Sequence, residues 1–187
     1  MNIQTENALK KTVLSSMFIA IGIILPFLTG QIQQIGNMLL PMHLPVFLCG
    51  MICGWQYGAA VGAVLPLLRS LIFTMPPLFP TALAMAFELC VYGLVSGIIF
   101  NRSKKQRLSA TYISLVSAMI AGRIVWGIVQ TELLGINETA FTWQMFAAGA
   151  FINAIPGIIL QLILIPSILT VLRVTGALRN VSGASAK

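Results

Sequence analysis

Aspartate is absent from this chain, and charged residues of any kind make up only 8% of it. Soluble globular domains carry roughly 25% charged residues, so a conventional water-facing surface is excluded. With 58% apolar residues, the chain reads as an integral membrane protein. A single histidine and four acidic side chains leave little for a nucleophile–base pair or a metal centre. No motif such as His-Glu-x-x-His occurs, which argues against a membrane-embedded enzyme, and no cofactor is implied. Three cysteines, Cys49, Cys53 and Cys90, lie in apolar runs. Their odd number argues against a disulfide framework, and they read as small packing residues. The pattern G-x-x-x-x-G-K-[ST] is missing, so the chain is not expected to hydrolyse ATP itself. No internal repeat is evident, which leaves an inverted-repeat transporter architecture unsupported. The formal charge of +7 invites a nucleic-acid reading, but basic loops against an anionic membrane face explain it better.

What the chain does have is long apolar runs, covering about residues 12–29, 44–73, 81–100, 109–130 and 141–172. A helix needs about 20 apolar residues to cross roughly 30 Å of hydrocarbon, and the alternation of a transmembrane barrel is not seen. Basic residues before the first run suggest a signal peptide. The run is long for one and lacks a small-x-small cleavage site, so it is read as a mature span. The run 44–73 could be one oblique helix or two short spans broken at "GWQYG" (54–58). Charge counting favours two. With six spans, Lys10, Lys11, Arg102, Lys104, Lys105, Arg107, Arg173, Arg179 and Lys187 share the side of both termini. The opposite loops then carry only Glu132 and Glu138, as the positive-inside rule requires. The expectation is a single all-α domain over 1–187 with both termini cytoplasmic. Its helices are placed at about 10–29, 44–54, 57–73, 81–101, 109–130 and 142–172, with Trp55 and Tyr57 at the inner interface.

The outer loops "GQIQQIGNMLLPMHLP" and "TMPPLFPT" are too apolar to be plain linkers. They fit either a lid over an outward-facing site or simple caps on short helices. Asn137-Glu138-Thr139 matches a glycosylation sequon, a motif short enough to arise by chance.

At 1.5 Å per residue, Glu88 and Arg123 each fall about 10 Å below the outer edge, Arg69 about 6 Å and Asn153 about 16 Å. Ionic groups at such depths cost on the order of 3 kcal/mol each unless paired or hydrated. A shared cavity open to the outside accounts for all four, whereas an ion pair that only clamps helices accounts for two. Arg123, Trp126 and Gln130 share one helix face, and Glu88 and Tyr92 share another. Trp143 starts the last helix and His43 ends the first outer loop. Aromatic walls with a few convergent polar groups describe a small-molecule site. Candidate ligand contacts are therefore Arg69, Glu88, Tyr92, Arg123, Trp126, Trp143, Asn153 and His43. Gln161 and the prolines Pro26, Pro66, Pro156 and Pro166 are less informative, since proline in a membrane helix usually marks a tolerated kink. Two small-residue strips, Ala8/Thr12/Ser16/Ala20 and Gly50/Gly54/Gly58/Gly62, permit close helix approach. The glycines suit packing within the chain, while the first strip could also serve a separate subunit.

Together these features resemble the substrate-binding S component of an energy-coupling factor (ECF) vitamin transporter. The likeness covers about residues 8–172. It rests on size, six helices, the strip with Ser16 and Ala20, and "LLPMHLPVFLCGMICGWQYGAAVGAVLPLLRSLIF" followed by "MPPLFPTALAMAFE". The resemblance implies a bacterial plasma-membrane subunit that binds a small vitamin or precursor and topples to carry it inward. It also implies a transmembrane coupling subunit that docks on Thr12, Ser16 and Ala20, and two ATPase subunits. In the family the first strip is typically Ala-x-x-x-Ala; here Ser16 replaces the first alanine. Ring compounds such as nicotinate or a B6 vitamer of the pyridoxine type suit the aromatics and cations, and pantothenate shares the carboxylate. The competing reading is a stand-alone proton-coupled transporter using Glu88.

Overall fold

The computed structural model describes residues 3–29, 39–103, 108–135 and 154–176, and all regular structure among them is helical. Six α-helices are described: α1 Ile3–Ile24, α2 His43–Cys53, α3 Trp55–Phe73, α4 Leu83–Arg102, α5 Leu108–Gly135 and α6 Ile155–Val174. Five have the length and apolarity to cross a membrane. The exception is α2, whose 11 residues span about 16 Å, half of the hydrocarbon thickness. The six-helix expectation therefore resolves into five full spans and one half-length helix.

Local sequence explains the boundaries. The thirty-residue run breaks at Gly54, where φ is 108° and ψ 162°, a conformation that a side chain strongly disfavours. Pro26 has no N–H to extend α1, and the chain tightens into a 3₁₀ turn, Leu25–Thr29. In that tighter register the Ile23 carbonyl would look to residue 26, a proline, for its hydrogen bond. Between α3 and α4, "TMPPLFPT" contains cis peptide bonds at Met75–Pro76 and Phe79–Pro80. A wide turn at Leu78–Ala82 then leads into α4.

The central helix is α4, which packs on α2, α3 and α5, while α1 lies against α2 and α3. Glycines set the tightest of these contacts. A Cβ on Gly93 would fall on the backbone carbonyl of Gly58, and one on Gly62 would fall on that of Leu89. Any larger residue would push α3 and α4 apart, which is the packing use foreseen for this strip. Away from the core, Ile113, Val116, Ile120, Ile124 and Ile128 line one exposed face of α5, and Ile155, Ile159 and Ile163 line one of α6. These apolar outer faces are what a bilayer solvates.

Contacts along the helices also show which ends coincide. The Cys49 thiol lies 3.5 Å from the Ser15 hydroxyl, and a Cβ on Gly97 would meet the Trp55 backbone at 2.6 Å. Lys10 and Lys11 of α1, the Gly54 turn and Arg102 of α4 thus share one end of the bundle. At the other end the rings of Phe27 and Phe73 meet edge to face, 5.0 Å apart.

Candidate functional site

Glu88 sits mid-helix on α4 and is 2% exposed. One turn later Tyr92 points back, its hydroxyl donating to Glu88 Oε1 at 2.7 Å. From the antiparallel α5, Arg123 Nη1 reaches the same oxygen at 2.9 Å. The pair forms because equal distances from the outer edge, counted along two opposed helices, bring both residues to one level. The Tyr92 ring is wedged in place. Phe47 of α2 stacks on it at 4.9 Å with an interplanar angle of 20°, and His43 lies tilted against it at 5.4 Å. On the α5 side a Cβ at Gly122 would collide with the ring, so the glycine beside Arg123 makes the room that Tyr92 occupies. Three helices therefore orient one phenol and, through it, one carboxylate.

His43 opens α2 and is 1% exposed, not a solvated loop residue. Neither of its ring nitrogens has a hydrogen-bond partner among the described residues. The same holds for the amide nitrogen of Gln161 on α6 and the amide oxygen of Gln130, two turns past Arg123. Buried polar atoms are nearly always satisfied in folded proteins, so each of these asks for a partner of complementary chemistry.

The structure thus brings Glu88, Tyr92, Arg123 and His43 together, with Trp126 partly buried one turn along α5 from Arg123. Trp143 and Asn153 lie outside the described residues. Arg69 has other neighbours. Its Nη1 donates to the Ile23 carbonyl at 2.9 Å. Its guanidinium carbon lies 5.6 Å from the ring centres of both Phe27 and Phe73. Arg69, a candidate ligand contact from its depth, is thus placed against a carbonyl and two aromatic faces and not beside Glu88. Sequence reasoning missed Phe47, although its i+4 spacing from His43 puts both on one face of α2. It also passed over Gly122 and underrated Gln161. A glycine that clears space for a ring on another helix carries no signal in the sequence.

On the outer surface of α1, Thr12, Ser16 and Ala20 are all exposed. The Thr12 hydroxyl donates to the Ala8 carbonyl at 3.0 Å and that of Ser16 to the Thr12 carbonyl at 3.1 Å. The strip therefore presents a narrow surface with its hydroxyls already satisfied, on the least enclosed of the five spans.

The paired charge of Glu88 and Arg123, with the unpartnered His43 against the Tyr92 ring, is the candidate binding site of this multi-pass helical membrane protein. The chain belongs to the ECF transporter substrate-specific component family, whose model matches residues 10–169, from α1 into the last turns of α6. As such it is a transport binding subunit and not an enzyme, and membership implies association with the energising module of the transporter. No curated protein and no solved structure matches the chain.

Proposed function

We propose that this protein captures a small vitamin or vitamin precursor with high affinity, in an intramembrane site open to the outside, for ATP-driven import. The observation that carries the proposal is the convergence of Glu88, Tyr92, Arg123 and His43 inside a chain of this family. Trp126 belongs to the same site on this reading, and Trp143 and Asn153, outside the described residues, remain proposed ligand contacts. Arg69 instead fastens the outer end of α1 to α3. Ring compounds, nicotinate or a B6 vitamer of the pyridoxine type, suit the aromatic cluster of Phe47, Tyr92 and His43 better than the flexible pantothenate does. The end that carries Lys10, Lys11 and Arg102 faces the cytoplasm, consistent with the positive-inside rule. The α1 strip of Thr12, Ser16 and Ala20 receives a transmembrane coupling subunit, which two ATPase subunits drive. Family membership favours this reading over a stand-alone proton-coupled transporter.

The test is the small molecule that copurifies with the full-length protein in mild detergent, identified by mass spectrometry of a denatured extract. A stoichiometric vitamin-sized compound that rebinds by calorimetry supports the proposal. If nothing copurifies and no member of a panel of water-soluble vitamins binds, the proposal fails.

A further inference from the structure

The charge state of the ligand can be read from the cluster, on the assumption that this cluster is the vitamin site proposed above. Glu88 and Arg123 lie 2.9 Å apart with both side chains buried, so the cluster's carboxylate and guanidinium offset each other before any ligand enters. A net ionic ligand would leave an uncompensated charge in the interior, which is strongly unfavourable. The unpartnered groups point the same way. A site for an anion presents a surplus of donors. Here both nitrogens of His43 are open. A neutral imidazole is a donor at one nitrogen and an acceptor at the other. At His43 a donor and an acceptor are therefore in balance. His43 also lies against the Tyr92 ring, so a flat ligand ring packing beside these aromatics brings its polar edge to the imidazole.

We propose that the site selects a small aromatic ring of zero net charge carrying both hydrogen-bond donors and acceptors, and that His43 reads its polar edge. Within the vitamin classes above, this favours a hydroxylated pyridine over a pyridine carboxylate.

The experiment is calorimetry on the full-length detergent-solubilised protein with two pairs of probes that share a ring and differ in charge. These are nicotinamide against nicotinate, and pyridoxine against pyridoxine 5′-phosphate. In at least one pair the neutral member is expected to bind at least about tenfold more tightly than its anionic twin. His43→Phe keeps a flat ring against Tyr92 and removes both nitrogens. It is expected to weaken the neutral probe by about tenfold or more, the scale of leaving a ligand polar group unpaired. His43→Gln, which retains a donor and an acceptor, should recover part of the loss. If His43→Phe does not fold, His43→Leu, which also removes both nitrogens, supplies the same comparison. Tighter binding of the anionic twins overturns the charge rule while leaving the vitamin-site reading intact. Unchanged affinity in His43→Phe overturns the role of His43. Failure of all four probes to bind at about 1 mM, a very weak affinity for a specific site, overturns the ring-compound class together with this inference.

Discussion

Glu88→Gln and Arg123→Met, made singly and together, separate a ligand site from a helix clamp. Either single change leaves one ionic partner in the bundle interior, where Glu88 is 2% and Arg123 7% exposed. Breaking a buried pair in this way costs about 3–5 kcal/mol. The double change strands no charge. The amide at position 88 can still accept the Tyr92 hydroxyl, now 2.7 Å from that oxygen, and a neutral hydrogen bond of this kind contributes about 1 kcal/mol. The methionine at position 123 retains most of the apolar stem of arginine. The double variant should therefore lose no more than about 2 kcal/mol, leaving a coupling energy of at least about 4 kcal/mol between the two sites. Denaturant-induced unfolding in a fixed detergent, followed by circular dichroism, measures all four corners of the cycle. Calorimetry with the copurified ligand runs in parallel. The expected result is a double variant that folds nearly as well as the original chain and binds poorly. Single variants as stable as the unmodified protein would refute the pairing energetics. A double variant that binds normally would show that the pair only holds α4 to α5.

Four further outcomes follow from the same geometry. Gly93→Ala places a methyl on the Gly58 carbonyl and should lower stability by at least about 1–3 kcal/mol. Gly135→Ala, with nothing within 4 Å of the added carbon, serves as the control that should lose nothing in the same unfolding assay. Gly122→Ala should displace the Tyr92 ring, costing about 1–3 kcal/mol of stability. It should also weaken ligand binding in calorimetry, and intact affinity would mean that the ring's position is immaterial to the site. Arg69→Met removes the hydrogen bond to Ile23 and both aromatic contacts, together worth about 2–4 kcal/mol. Its signature is a lower unfolding midpoint with unchanged ligand affinity. Ser16→Leu should leave binding intact and abolish ATP-driven uptake in cells that carry the energising subunits, and normal uptake by that variant would remove the docking role from α1.

Much of this molecule was readable from one dimension. Scarcity of charge and the length of the apolar runs determine a helical membrane protein, because hydrocarbon forces every backbone polar group into a helix or a barrel. The break at Gly54, the shared end of Lys10, Lys11 and Arg102, and the common level of Glu88 and Arg123 follow from counting residues at a constant rise. What counting could not supply is which faces meet. The sequence alone left Arg69 as one more cation at the depth of the site; tertiary packing shows it bonded to the Ile23 carbonyl of another helix and set against two rings. His43 read as the end of a loop until α2 was seen to begin deep in the bundle, and Gly122 acquired meaning only once the Tyr92 ring was found beside it. The depth of a side chain is a property of its own helix, whereas its neighbours depend on how helices rotate and close against one another, and that is decided by glycine contacts distributed over several of them.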